Sequence, residues 1–333
     1  MMEKPIAPRV SILIRSMDRP TLTRALDSAA EQTWPNVEIV VVAACGGTHR
    51  PLSDQYRGRN VRFVMPETPL QRADAANACL ASATGEWLNF LDDDDELLPE
   101  HIETLLTAER GKARVLYSRA RVHDAQGNLT GHCGFASYPV QFYYQNRTHP
   151  AATLFHRSLV DEGARFDPEF AVYEDHDFFV NLASRSDFKF INAATCIWNA
   201  HTGESGCGHG ANTNEPQREF YYAKLRSKWA TLFDRWLRQP ETLIFLGQHN
   251  LRSGDAAVAR DCLERALALK PDDVNAMNLC GVANFHAGNL QRAEDLLVRA
   301  SQRMPSHAGI ERNLAMVRAR RKVPAPAEVP ASR

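Results

Sequence analysis

An α/β domain built on a mostly parallel sheet, followed by an all-α repeat module, is the fold class that this 333-residue chain predicts. Three observations lead to it. In the first half, short apolar runs of strand length alternate with segments whose apolar residues recur at helical spacing, an order that lays helices over a parallel sheet. From about residue 240, a set of residues recurs at an offset of 34. Between the two, residues 217–239 read as one helix, with Leu225, Trp229, Leu232, Phe233 and Trp236 on a single stripe. The expected organisation is a tail over 1–8, the α/β domain over 9–216, a connecting helix over 217–239, repeats over 240–320 and a disordered Pro- and Ala-rich tail over 321–333.

The elements follow in order. Val10-Ser11-Ile12-Leu13-Ile14 is a first buried strand. Pro20 opens a helix with Asp18 near its cap, and Leu22, Ala25, Leu26, Ala29 and Ala30 form its apolar face. Trp34-Pro35-Asn36 ends it, Val37–Val42 is the second strand and Val61–Val64 the third. Residues 71–83 are Ala-rich and helical, and Trp87-Leu88-Asn89-Phe90-Leu91 is the next buried strand. Pro99 starts a helix, and Val115-Leu116-Tyr117 is a further strand. Residues 120–150 suit irregular strands around an acceptor site. Ala171-Val172-Tyr173-Glu174-Asp175-His176-Asp177 opens a helix that runs through Ala183, and residues 199–216 are Gly-rich and read as a mobile loop.

In the second half, Gly254, Ala259, Leu263, Ala266 and Pro271 recur as Gly288, Ala293, Leu297, Ala300 and Pro305. The offset of 34 is the tetratricopeptide period. Small residues at the alanine positions let paired helices approach, and each proline closes a repeat. Two full repeats are fewer than such arrays need, so the aromatic helix before them and residues 308–320 after them are expected to cap the array.

Composition narrows the function classes. A net charge of −1 gives no electrostatic reason to expect nucleic acid as a partner. No apolar run reaches the ~18 residues of a spanning helix, and Met1-Met2-Glu3-Lys4-Pro5 lacks a secretory apolar core. Seven cysteines without a CxxC pair suit reduced thiols and a cytoplasmic location; attachment at the periphery of an inner membrane stays open.

The chemistry concentrates at Asp92-Asp93-Asp94-Asp95, where a buried strand ends. Ligands of parallel sheets bind beyond such strand ends. Four adjacent carboxylates repel, and a hard divalent cation relieves the repulsion, which in turn suggests a phosphate-bearing substrate. Alternation along an extended backbone puts Asp92 and Asp94 on one side and Asp93 on the other, with Asp95 free to cap the following turn. A solvated acidic loop is the competing reading; the buried strand before the run and Leu97-Leu98-Pro99 after it speak for the metal. A second acidic group, Glu174-Asp175-His176-Asp177, opens a helix. Helix-dipole stabilisation alone explains acids there; the functional alternative makes Asp175 a general base whose proton affinity like-charged neighbours raise. His201 is a candidate third metal ligand, or a surface histidine. No GxGxxG or Walker loop is present.

In combination, these pieces resemble the family-two glycosyltransferases of the GT-A fold. The resemblance rests on Val10–Ile14, Asp18-Arg19-Pro20, Leu26, Gln32-Thr33-Trp34-Pro35, Glu38–Val42, Asn77, Gly85-Glu86-Trp87, Phe90–Asp95 and Glu174-Asp175, and covers about residues 9–200. It implies an inverting transfer of a single sugar from a nucleotide-sugar, a UDP-sugar by family habit, to a hydroxyl of a glycan, lipid-linked or protein acceptor. It implies Mn²⁺ or Mg²⁺ on Asp92 and Asp94, to which the residue reading adds His201 as a candidate third ligand, with Asp175 as base and a donor site at Arg15, Ala43, Arg72, Asn77, Asp92 and Asp93. Two departures stand out. Ala43 replaces the aspartate that contacts the base in the family, and Arg15 replaces a proline. The QxxRW signature of processive members is absent. The repeats would offer a concave groove to a protein partner. Two other readings stay open: a repeat scaffold whose transferase domain has lost donor binding, and a metal-dependent nucleotidyltransferase.

Overall fold

The computed structural model describes residues 7–108, 113–136, 142, 146, 148–200 and 215–322. The chain divides into two compact units, Met1–Ala230 and Thr231–Arg333.

Among the described residues, the first unit holds a ten-stranded sheet of order β3-β4-β2-β1-β5-β9-β7-β10-β6, with β8 pairing off β7. The strands are β1 (Val10–Ser16), β2 (Val37–Ala43), β3 (Gln55–Tyr56), β4 (Arg59–Val64), β5 (Trp87–Asp92), β6 (Glu96–Leu97), β7 (Val115–His123), β8 (Leu129–Cys133), β9 (Thr153–His156) and β10 (Phe188–Asn199). The helices are α1 (Leu22–Ala30), α2 (Arg72–Ser82), α3 (His101–Ala108), α4 (Ser158–Asp161), α5 (Glu174–Ala183) and α6 (Glu215–Lys228). The expected parallel arrangement holds across β4-β2-β1-β5 and again between β10 and β7. Antiparallel strands join these two parallel blocks, chiefly β9 between β5 and β7.

Alternation sorts the side chains. Val10, Ile12 and Ile14 of β1, with Val37, Ile39 and Val41 of β2, pack on Leu22, Ala25, Leu26 and Ala29 of α1. The intervening residues, Leu13, Arg15, Val40 and Val42, face the opposite side, which the buried Ala73, Ala76, Cys79 and Leu80 of α2 help to cover. Because β1 and β5 run in parallel register, Arg15 stands directly beside Asp92.

Several local expectations are corrected. Asp18 does not cap α1: its backbone is left-handed (φ 60°), and its carboxylate accepts from the Arg50 amide at 2.9 Å. Asp95 caps no turn either; it accepts from the Asn199 amide at 2.9 Å, tying the acidic loop to the end of β10. The helix expected over 217–239 breaks at Trp229 into α6 and α7 (Ala230–Trp236), because the Trp229 indole and Lys228 both turn to the buried Asp177 carboxylate, each at 2.7 Å. The strands β6, β9 and β10 escape the periodicity reading, because the first two are very short and β10 has a mixed burial pattern.

In the second unit, α8 (Pro240–Arg252), α9 (Ala256–Leu269), α10 (Val274–His286), α11 (Leu290–Arg303) and α12 (Ala308–Lys322) follow α7. All three apolar positions of the repeat, Ala259/Ala293, Leu263/Leu297 and Ala266/Ala300, are fully buried. Gly254 and Gly288 take left-handed φ of 84° and 82° where one helix hands over to the next. The spacing also holds for a pair the sequence reading passed over, Gly247 and Gly281. A β-carbon on Gly281 would lie 2.6 Å from Leu297 Cγ, and one on Gly247 would strike Leu263. The last helix closes this core with Ile310, Leu314 and Val317. Of the predicted tails over 1–8 and 321–333, residues 7–8 and 321–322 are described, the latter as the end of α12; residues 1–6 and 323–333 lie outside the described residues.

Candidate active site

The site is assembled at the carboxyl ends of β1 and β5 and the first turn of α5. Arg15 is its hinge. Its Nη2 lies 2.8 Å from Asp92 Oδ1 and its Nη1 3.1 Å from Glu174 Oε1, while the guanidinium carbon sits 5.9 Å over the Phe90 ring. Arg72 Nη1 lies 3.8 Å from the same Glu174 oxygen. The two acidic groups of the sequence, 82 residues apart at Asp92 and Glu174, thus meet on one guanidinium.

The four aspartates separate into different tasks. Asp92 and Asp94 line a cavity of about 460 Å³ together with Arg15, Met17, Arg19, Ala44, Leu70, Arg72 and Ala75. Asp93 is fully buried; it accepts from the Met17 amide at 2.7 Å and pairs with Arg19 Nη1 at 2.5 Å. Asp95 is buried with His149 Nε2 3.5 Å from its carboxylate. Asp93 thus parts from Asp92 and Asp94, but through a turn and not through strand alternation, since β5 ends at Asp92; expected in the donor site, Asp93 is instead fully buried and engaged with Met17 and Arg19.

Electrostatics follow from burial and from these partners. Burial alone would raise the Asp92 carboxyl, but the adjacent Arg15 charge prevails and holds it below the usual carboxylate range. Among the described residues, the cation beside Asp94 is Arg19 at 3.5 Å, and burial plus the Asp92 charge push it up to about 6. Burial and like charge likewise raise Asp95 well above its ordinary value. At the α5 end, burial is the chief cause that raises Asp175, with Asp92 adding to it and Arg15 and Arg72 opposing. Glu174 rises by burial and by the Asp175 charge. The source of the desolvation is visible: Asp175 and Arg15 back onto a water-sized void of about 10 Å³ walled by Phe90, Phe155, Phe166 and Phe178. Phe166 and Phe178 stack at 4.1 Å.

The donor set of Asp92 and Asp94 suits a hard divalent cation. Both carboxylates line the cavity, where Asp94 is raised chiefly by burial and then by the Asp92 charge; among the described residues no group of three or more His, Cys, Asp or Glu gathers to hold a metal ion. The remaining ligands would come from a phosphate and water.

The other sequence-predicted residues fall as follows. Arg72 lines the cavity. Ala43 is fully buried at the end of β2, and its neighbour Ala44 reaches the cavity wall. Asn77 is engaged away from the cavity: its amide donates to the Phe166 carbonyl at 2.9 Å and accepts from the Phe166 amide at 3.0 Å. His201 lies outside the described residues, as does most of the Gly-rich loop. Arg19 and Glu174 were not singled out for chemistry by the sequence. Arg19 stands inside the Asp18-Arg19-Pro20 segment, where its spacing offered a signal; Glu174 gains its role only from the two arginines that reach it.

Comparison with known proteins agrees with this architecture. Residues 11–160 match the family model described as Glycosyl transferase family 2, and residues 246–308 match a tetratricopeptide repeat model. An uncharacterized glycosyltransferase of Bacillus subtilis, YwdF, is 27% identical over 203 residues, spanning 57% of this chain and 74% of that protein. The amylovoran biosynthesis glycosyltransferase AmsB of Erwinia amylovora is 24% identical over 200 residues, 54% of this chain and 65% of that one. The putative colanic acid biosynthesis glycosyl transferase WcaA of Escherichia coli is 21% identical over 243 residues, 68% and 84% of the two chains. A crystal structure of S. aureus TarS 1–349 in complex with UDP-GlcNAc superposes with a TM-score of 0.49 at 16% identity over 93% of this chain and 90% of that one, a likeness too distant to argue from. The chain therefore carries a glycosyl transferase family 2 domain followed by tetratricopeptide repeats. No helix among the described residues is long and apolar enough to cross a membrane.

Proposed function

We propose that the protein transfers a single sugar from a nucleotide-sugar to an acceptor hydroxyl with inversion at the anomeric carbon. The observation that carries this reading is the double ion pair of Arg15, which joins Asp92 on the cavity lining to Glu174, the chain neighbour of Asp175. The donor diphosphate would lie against Arg15, Arg19 and Arg72, whose charges complement the negative charge that grows on the leaving nucleoside diphosphate. Asp175, raised in proton affinity by the aromatic cage behind it, would take the proton of the acceptor hydroxyl. The hydroxyl oxygen then attacks from the face opposite the leaving group, and one displacement inverts the configuration. Asp94 and Asp92 would hold a divalent cation, Mn²⁺ or Mg²⁺, which when bound supplies further neutralisation of the diphosphate.

Relatives named for amylovoran and colanic acid biosynthesis point to bacterial polysaccharide assembly as the setting and a growing glycan as the acceptor. The repeats would contact a protein partner or the acceptor. The test is Asp175→Asn. The expected outcome is a fall in kcat of about 10²- to 10⁴-fold with donor affinity by calorimetry unchanged. Loss of donor binding along with turnover would remove Asp175 from the role of base, unchanged turnover would remove it from the chemistry altogether, and absence of turnover and of donor binding in the parent protein would favour a scaffold.

A further inference from the structure

The cavity that would hold the donor is lined by two unlike sets of side chains: the charged Arg15, Arg19, Arg72, Asp92 and Asp94, and the apolar Met17, Ala44, Leu70 and Ala75. Around Ala44 the backbone is already paired. The Ala44 amide donates to the Ser16 carbonyl at 2.7 Å, and the Ala44 carbonyl accepts from the Leu70 amide at 2.9 Å. The loop bearing Leu70 is pressed onto the turn after β2: a β-carbon on Gly46, itself at φ 70°, would lie 2.8 Å from Pro69 N. Met17 also lines the cavity with half of its surface exposed, 51%, an unbranched and polarizable side chain suited to lie on a flat ring.

Such an apolar set can bury a ring but has little with which to read its edge. Sites that hydrogen-bond a substrate group reject analogues lacking it by about 10⁴- to 10⁵-fold, whereas an apolar pocket separates near-isosteres by only about 10- to 200-fold. We propose that the donor site is base-tolerant: it grips a nucleoside diphosphate through the diphosphate and packs the base against Met17, Ala44 and Leu70 with weak discrimination among uracil, cytosine, guanine and adenine. This rests on the donor-site reading above and specifies its substrate class as nucleoside diphosphates selected by their phosphates.

The experiment is calorimetric titration of the full-length protein, with Mn²⁺ present, by UDP, CDP, GDP, ADP and inorganic pyrophosphate. The expected result is four nucleotide dissociation constants within about tenfold of one another, all weakening together as salt is raised, with pyrophosphate also bound. A preference of more than about 100-fold for one base overturns base tolerance while leaving the donor site standing. Absence of binding by every nucleotide and by pyrophosphate overturns the donor-site reading itself. Ala44→Asp sharpens the placement: a carboxylate there accepts from the ring N–H of uracil and guanine, so UDP and GDP should gain at least about tenfold over CDP and ADP. A variant that binds pyrophosphate like the parent but shows no such gain removes Ala44 from the base site.

Discussion

The two units store information at different ranges. In the repeats, each residue that matters answers to its counterpart one period along, and Leu263 and Leu297 fill the same space against Gly247 and Gly281. In the transferase unit, the decisive contacts join positions far apart in sequence: Arg15 to Asp92 across two parallel strands, and Arg15 to Glu174 from strand to helix. The repeats bury apolar groups that tolerate gradual loss. The site buries charges whose cost is offset only while every partner is present. The difference teaches where each unit is vulnerable, and four substitutions test it.

The largest effect is expected at Arg15→Ala. It leaves Asp92 and Glu174 in a buried setting without their shared cation, a loss of about 3–5 kcal/mol. Denaturant unfolding of the first unit should shift accordingly; a shift below about 1 kcal/mol would mean that the hinge carries no such strain. Next is Leu297→Ala, a cavity in the repeat core worth about 2–5 kcal/mol. It should lower the melting transition of the repeats and leave nucleotide binding by the first unit unchanged. Loss of nucleotide binding in this variant would break the separation of the two units.

The third concerns pH. His101 is fully buried with Nδ1 2.7 Å from Thr195 Oγ1, and burial lowers its pKa to about 3. A group whose folded pKa is depressed binds more protons when unfolded, so its stabilisation is complete above its ordinary value of 6.5 and is lost as pH falls towards 3. His101→Leu should flatten the stability profile over that window by up to about 1.4 kcal/mol per pH unit. An unchanged slope would show that other groups dominate. The smallest effect is expected at Arg292→Ala, which removes a half-exposed pair with Glu264 at 2.6 Å in the repeat unit and should cost under about 1 kcal/mol, falling further with salt.

The legibility of the molecule follows the same division. Alternating apolar runs placed β1, β2, β4 and β5 within a residue or two, because buried parallel strands write their own hydrophobicity into the chain. The repeats were legible at a glance, through a period that needs no knowledge of the third dimension. Asp92, Asp94 and Asp175 stood out as acidic residues at strand and helix ends, and Arg72 only through its place in the family resemblance; all four line cavities at the site. Asn77 shows the limit of such reading: its position suggested the donor, yet both ends of its amide are committed to Phe166. The caps assigned to Asp18 and Asp95 failed for the same reason, since distant backbone amides, Arg50 and Asn199, compete for those carboxylates.

By itself, then, the order of apolar, small and acidic residues determined a sheet covered by helices, a 34-residue array and the ends of the strands where chemistry could occur. Hydrophobic periodicity is a local property, and local properties survive in a linear string. Only the tertiary structure decided which carboxylates are paired, which are raised in proton affinity and which apolar side chains line the cavity. Those outcomes depend on desolvation and on charges brought within a few ångströms across long loops, and neither distance nor dielectric is written in the sequence.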